Sequence, residues 1–249
     1  MNIIKRLKKN FAKNSVALPI PHQYYNISST CQIPKLDFLY EKYFGKIDNG
    51  VFVEVGAYDG EYVSNTSCLA DLGWKGHYIE PVPEYFNKCS KRHKKNRLTK
   101  VSNFAVGAYN GKVQINVSGP MSTIDKKTEQ VFKKLPWSKK LISNQYIAVD
   151  QITLDDFLVT HDVEKSFDLL VIDVEGYEWE VLKGLDIQLW KPKMVIIELH
   201  DQNSDYPHLM ENSQRIVNYF ETHSYRIIYK DFSNTIYINP SIADRFIPK

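Results

Sequence analysis

A chain of 249 residues, 43% hydrophobic and 13% aromatic, is long enough to bury a full core as one α/β domain. Its net charge of +3 is too mild for a nucleic-acid binder, which carries a strongly basic face, so no nucleic-acid partner is expected. Cys31, Cys68 and Cys89 are odd in number and lack metal-ligand or redox spacing, which argues against a disulfide framework or zinc site and for a reduced, cytoplasmic setting.

No stretch is apolar for long enough to cross a bilayer, and the first ten residues lack the apolar core of a signal peptide. Residues 1–34 read as an N-terminal arm ahead of a domain at 35–249. Lys5, Arg6, Lys8, Lys9 and Lys13 stand beside Ile3, Ile4, Leu7 and Phe11. As a helix this segment could make peripheral contact with an anionic membrane surface, and the bland alternative is a solvated arm.

Apolar spacing predicts a helix at 36–44, stopped by Gly45. A buried-strand run at 51–55 leads into the turn Gly56–Gly60 and a helix to about residue 72. A second strand at 75–79 ends in Glu80 and Pro81, and a helix opened by Pro83 runs to about residue 95. A third strand is expected at 99–104, and the alternation at 112–118 suits a half-exposed extra strand. The pattern loosens at 119–146, which reads as an insertion covering the site and carries Lys126, Lys127, Lys133, Lys134, Lys139 and Lys140. Thr153, with Asp156 three residues on, predicts a capping box.

After Asp168, the run Leu169–Ile172 has no polar relief and breaks into Asp173, Glu175 and Glu178 around Gly176. A helix at 177–183 follows, with Gly184 as its left-handed stop. A strand at 194–197 opens in the same way onto Glu198, His200 and Asp201, and a helix at 213–223 leads to a hairpin at 225–229 and 235–238. The order predicts a doubly wound, mostly parallel sheet with an antiparallel edge, whose ligands sit beyond the carboxyl ends of the strands. The glycine turn is G-x-x-x-G, and Tyr58 stands where a dinucleotide fold needs its second glycine. That disfavours an NAD-dependent oxidoreductase and suits a cofactor without phosphates. Glu80, about twenty residues further on, is placed to accept ribose hydroxyls.

The blocks Glu54-Val-Gly-Ala-Tyr-Asp-Gly60, Ser64-Asn-Thr66, Gly73-Trp-Lys-Gly76, Ile79-Glu-Pro81, Asn103-Phe-Ala-Val-Gly107, Ser122-Thr123, Thr153-Leu-Asp-Asp156, Ile172-Asp-Val-Glu-Gly-Tyr-Glu178 and Ile197-Glu198 resemble, in number and order, those of FkbM-type methyltransferases. The resemblance covers about residues 36–240. It implies the class I methyltransferase (Rossmann-like) fold with a seven-stranded sheet. It also implies S-adenosylmethionine (SAM) as cofactor and O-methylation, often of sugars in glycans or natural products. Carried over, it puts Gly56, Ala57, Tyr58 and Gly60 around the methionine part of SAM, with Glu54 and Asp59 near its amino group. Glu80, beside Pro81, holds the ribose. Asn103, Ala105 and Val106 line the adenine, and Ser64, Asn65 and Thr66, read as part of the first helix, reach the carboxylate. Simpler roles stay open: helix packing for Gly60, a cap for Asp59, a plain helix position for Ser64.

Methyl transfer is an in-line displacement, so alignment does much of the work, and a sugar hydroxyl also needs its proton removed. Asp173 and His200 are the candidate bases, Glu198 orients the acceptor or the base, and Glu175 completes the group. Asp173 could also touch SAM itself, or with Glu198 hold Mg²⁺ or Mn²⁺, because carboxylates packed together repel. Glu178 reads as a surface or helix-turn charge. The lysines of the insertion point to an anionic sugar acceptor or to a solvated face, and Phe132, Trp137 and Tyr146 to sugar stacking or simple packing. Other readings are a lipid, polyketide or peptide acceptor, or an inactive SAM-fold binding module.

Overall fold

The computed structural model of the protein describes residues 24–201 and 206–243; the basic segment at 3–13 lies outside them. Helix α1 (Leu36–Phe44) precedes β1 (Val51–Val55), α2 (Ser67–Leu72), β2 (Lys75–Ile79), α3 (Pro83–His93) and β3 (Thr99–Ser102). Next come β4 (Ala105–Val106), β5 (Gly111–Asn116), α4 (Lys126–Phe132), β6 (Tyr146–Ile152) and α5 (Leu154–Thr160). The chain continues through β7 (Leu169–Ile172), α6 (Glu178–Lys183), α7 (Ile187–Trp190), β8 (Met194–Glu198), α8 (Met210–Thr222), β9 (Arg226–Lys230) and β10 (Asn234–Ile238).

The main sheet has seven strands in the order β3-β2-β1-β7-β8-β10-β9. β3, β2, β1, β7 and β8 are parallel, and β10 runs antiparallel to both of its neighbours. Side chains alternate across a strand, and the cores follow that period. Val53, Val55, Leu170, Ile172, Val195 and Ile197 face one core with residues of α5, α6 and α8. Phe52, Leu169, Val171, Met194 and Ile196 face the other with residues of α1 and α2. A strand covered on both faces needs an unbroken apolar run, which is why the segment ending at Ile172 is readable from composition alone. Among the described residues no helix is long and apolar enough to cross a membrane.

The register decides where the site forms. Ser102 pairs with Ile79, Ile79 with Val55, Val55 with Ile172 and Ile172 with Ile197. The next row therefore contains Asn103, Glu80, Gly56, Asp173 and Glu198, with the strand order reversing between Gly56 and Asp173. Such a reversal opens a crevice at the carboxyl end of a parallel sheet.

Several expectations change. The third strand ends at Ser102; the chain then leaves the main sheet, and β4 enters a second sheet of order β4-β6-β5. Strand β6 is not signalled by the sequence pattern, and the supposedly loose insertion contains helix α4, whose N-cap Asp125 accepts from the Thr128 amide. The short helix α7, capped by Asp186, is likewise unforeseen. Helix α2 starts only at Ser67, so Ser64, Asn65 and Thr66 lie ahead of it, and Ser64 Oγ accepts from the amides of Thr66 and Ser67.

Gly45 has φ 74° and donates to Glu41 O, as a helix stop should. Gly184 has φ −91° and is not left-handed. A Cβ there would lie 2.3 Å from Gly107 O, so close packing accounts for the glycine. Thr153 Oγ1 accepts from the Asp156 amide, but the Thr153 amide donates to Asn110 Oδ1 rather than to Asp156, so the box is half formed. Ahead of residue 35 the chain already packs on the domain. Tyr25 and Ile33 are buried in the second core, and Tyr25 Oη donates to Gly45 O.

Candidate active site

At Gly56 the backbone has φ +90°, and a Cβ would fall 1.8 Å from Asp173 O. No side chain fits where the β1 turn crosses the end of β7. The turn continues through Tyr58, itself at φ 48°, whose amide donates to Glu80 Oε2 at 2.9 Å, while the Val82 amide donates to Glu80 Oε1 at 2.8 Å. Glu80 thus fastens the glycine turn to the start of α3. Burial outweighs both donors and pushes its carboxyl up to about 8.

A partly enclosed cavity opens above this row. Of the residues expected around a cofactor, Gly56, Tyr58, Glu80, Pro81, Ala105, Val106 and Asp173 line it; Glu54, Ala57, Asp59, Gly60, Ser64, Asn65, Thr66 and Asn103 do not. Each departure has a local cause. Strand alternation turns Glu54 to the opposite face, where the Thr66 hydroxyl donates to it and burial raises it to about 8. Asp59 Oδ1 accepts from the amides of Glu61 and Tyr62 as a turn cap.

The remaining departures are also local. Ala57 is buried, its amide given to Ile79 O. Gly60 packs on α3, where a Cβ would meet His93 and Cys89 within 2.8 Å. Asn103 Nδ2 folds back to donate to the carbonyls of Glu80 and Pro81. Phe104, within the turn 103–106 expected to line the adenine, does line the cavity, whereas sequence reading misses Tyr85, Ile124 and Tyr177, which supply further wall.

Asp173 and Glu175 form the wall beyond Gly56. Gln32 Nε2 donates to Asp173 Oδ2 at 3.2 Å, and Asn65 Nδ2 donates to Gln32 Oε1 at 3.0 Å, which fixes the amide so that its nitrogen faces the acid. Gln32 is not among the expected site residues: nothing local marks a contact across 141 positions. Glu175 sits at φ 53°, its carbonyl accepting from Thr123 Oγ1 at 2.7 Å. Burial, reinforced by the neighbouring acids, raises Asp173 and Glu175 well above the usual carboxylate range, and burial takes Glu198 to about 8.

His200 Nε2 lies 3.5 Å from Glu198 Oε2, and its ring stacks on Tyr206 with centroids 4.5 Å apart. Burial lowers its pKa, favouring the neutral imidazole. Neither Glu198 nor His200 lines the cavity; they stand behind Asp173 and Glu175. Of the expected metal pair, Glu198 approaches Asp173 closely enough for a side-chain hydrogen bond, and Glu198 also groups with Glu175 and His200, the potential ligand atoms of these three lying within 4.8 Å of one another. Glu178 is buried, accepting from the amides of Val174 and Gly176, and burial raises it to about 7; it caps the turn and is not a surface charge.

A seven-stranded sheet of this order, closed by an antiparallel hairpin and carrying acids at its switch point, defines a class I methyltransferase fold. The model of the methyltransferase FkbM domain matches residues 54–227, and the chain belongs to that family of methyltransferases. It is 38% identical over 72 residues to Methyltransferase 1 of Beauveria bassiana (strain ARSEF 2860), a match spanning 28% of this chain and 29% of that protein.

Among solved structures, the O-methyltransferase from Bacillus cereus in complex with SAH is 11% identical, with TM-score 0.47, covering 86% of this chain and 85% of that one. The O-methyltransferase TomG from Streptomyces achromogenes, in complex with SAM, is 13% identical, with TM-score 0.46 and coverage of 82% and 77%.

Proposed function

We propose that the protein transfers the methyl group of SAM to an oxygen, and that the acceptor is a sugar hydroxyl of a glycan or glycoconjugate. The observation that carries the reading is the row Glu80, Gly56 and Asp173 under one cavity. Glu80 oxygens each take one backbone donor and keep lone pairs for the two ribose hydroxyls. The methionine part lies against the Gly56 turn, and the adenine packs between Phe104, Ala105 and Val106. The acceptor oxygen attacks the methyl carbon in line; the O–C bond forms as the S–C bond breaks. The sulfonium leaves as the neutral thioether of S-adenosylhomocysteine, and the hydroxyl proton passes to Asp173 in its ionised form. Glu175 faces the acceptor beside that acid, and Glu198, hydrogen-bonded to Asp173, and His200 back them from outside the cavity.

A groove shares Tyr58, Gly119 and Pro120 with the cavity and adds Tyr62, Ser118 and Ser143. Aromatic faces beside hydroxyls suit a pyranose ring, which is apolar on its face and polar at its rim. Charge attraction to an anionic sugar would fall on Lys126, Lys127, Lys134, Lys139 and Lys140, because Lys133 is already paired with Glu129 at 2.5 Å. The test has two arms. S-adenosylhomocysteine should raise the melting temperature where NAD does not, and candidate glycans incubated with labelled SAM should gain one methyl in mass spectrometry. No stabilisation by S-adenosylhomocysteine removes the cofactor reading; methylation of lipid or peptide acceptors alone removes the sugar.

A further inference from the structure

We infer that Glu175, Glu198 and His200 form a divalent-cation site at the acceptor side of the cavity, taking a hard ion of the Mn²⁺ or Mg²⁺ class. The inference deepens the proposed reaction and rests on it for its role, although not for its test. Two carboxylates and one imidazole converge with ligand atoms no more than 4.8 Å apart, a separation that small side-chain rotations can close to the span of a cation drawing oxygen and nitrogen donors to about 2.1–2.3 Å.

A second observation points to a ligand independently. Glu198 is only 8% exposed, and its Oε2 has no hydrogen-bond partner among the described residues although it faces His200 at 3.5 Å. Buried oxygens are rarely left unmet, since each costs about 1–3 kcal/mol. The Nδ1 atom of His200 is likewise unpartnered, and stacking on Tyr206 holds the ring in place.

The ligand types select the ion: carboxylates suit Mg²⁺ and Mn²⁺, and one imidazole is better tolerated by Mn²⁺. Glu175 belongs both to this set and to the cavity wall, so a cation here would lie where the acceptor hydroxyl must sit. It could bind that oxygen and make its proton easier to remove.

The full chain, dialysed against EDTA, is titrated with Mn²⁺ and followed by electron paramagnetic resonance, with Mg²⁺ as competitor. Saturable Mn²⁺ uptake is expected, displaced by Mg²⁺ and weakened about tenfold or more by either Glu198→Gln or His200→Asn. Stabilisation by S-adenosylhomocysteine, measured on the same variants, should persist and reports that they are folded. Absence of saturable uptake by the wild-type chain, or uptake indifferent to both substitutions, overturns the site. Mn²⁺ uptake without any response to S-adenosylhomocysteine would instead sink the cofactor reading and leave the cation site standing.

Discussion

Glu54 holds a proton at neutral pH because burial raises it from 4.5 to about 8. The unfolded chain has lost that proton by pH 6, so folding takes one up, and stability falls as pH rises from about 4.5 to about 8. Glu80 adds the same slope. Each group contributes at most about 1.4 kcal/mol per pH unit. Glu54→Gln mimics the protonated acid: urea unfolding should find it close to wild type at pH 5.5 and with a shallower decline toward pH 8.5. An unaltered slope would show that Glu54 is ionised in the fold. Glu175 offers a different test, since its φ of 53° is a conformation that only glycine adopts cheaply. Glu175→Gly should raise the stability of the metal-free chain by about 1 kcal/mol, while abolishing methyl transfer.

Strands are legible in the sequence where both faces are covered. The runs of β7 and β8 and the mostly apolar β1 read as buried strands, and the residues at their carboxyl ends, Gly56, Asp173 and Glu198, can be located from residue order alone. The small sheet is not legible: β6 mixes exposed Tyr146, Ala148 and Asp150 with buried Val149 and Gln151, and such a half-covered strand resembles loop. Side-chain direction is harder to read than position. Asn103 lies at the row and Asp59 and Gly60 on the turn leaving it, yet each satisfies neighbouring backbone or packing, which motif spacing does not reveal. Helix α4 is hidden because its signal is a cap rather than an apolar stripe. Asp125→Ala should remove the bonds to the Thr128 amide and hydroxyl, cost about 1 kcal/mol, and speed hydrogen exchange within α4 while leaving S-adenosylhomocysteine binding intact. Unchanged exchange would show that packing alone holds the helix.

For the molecule as a whole, the described residues just before α1 are part of the fold. Ile33 and Tyr25 are 0% and 1% exposed, and each such side chain contributes about 1.5–3 kcal/mol by leaving water. A chain lacking residues 1–34 should therefore lose at least about 3 kcal/mol in chemical denaturation. A shortened chain as stable as the original would mean that the second core closes without them.

The bridge from Gln32 to Asp173 also ties function to the order of synthesis. A ribosome delivers residue 32 long before residue 173, and Glu198 later still, so the nascent chain carries its glycine turn and Glu80 without the opposite wall. Domains form as units once their sequence has emerged, and a chain that stops short of β7 has the glycine turn and Glu80 but not the wall that Asp173 and Glu175 form across the crevice.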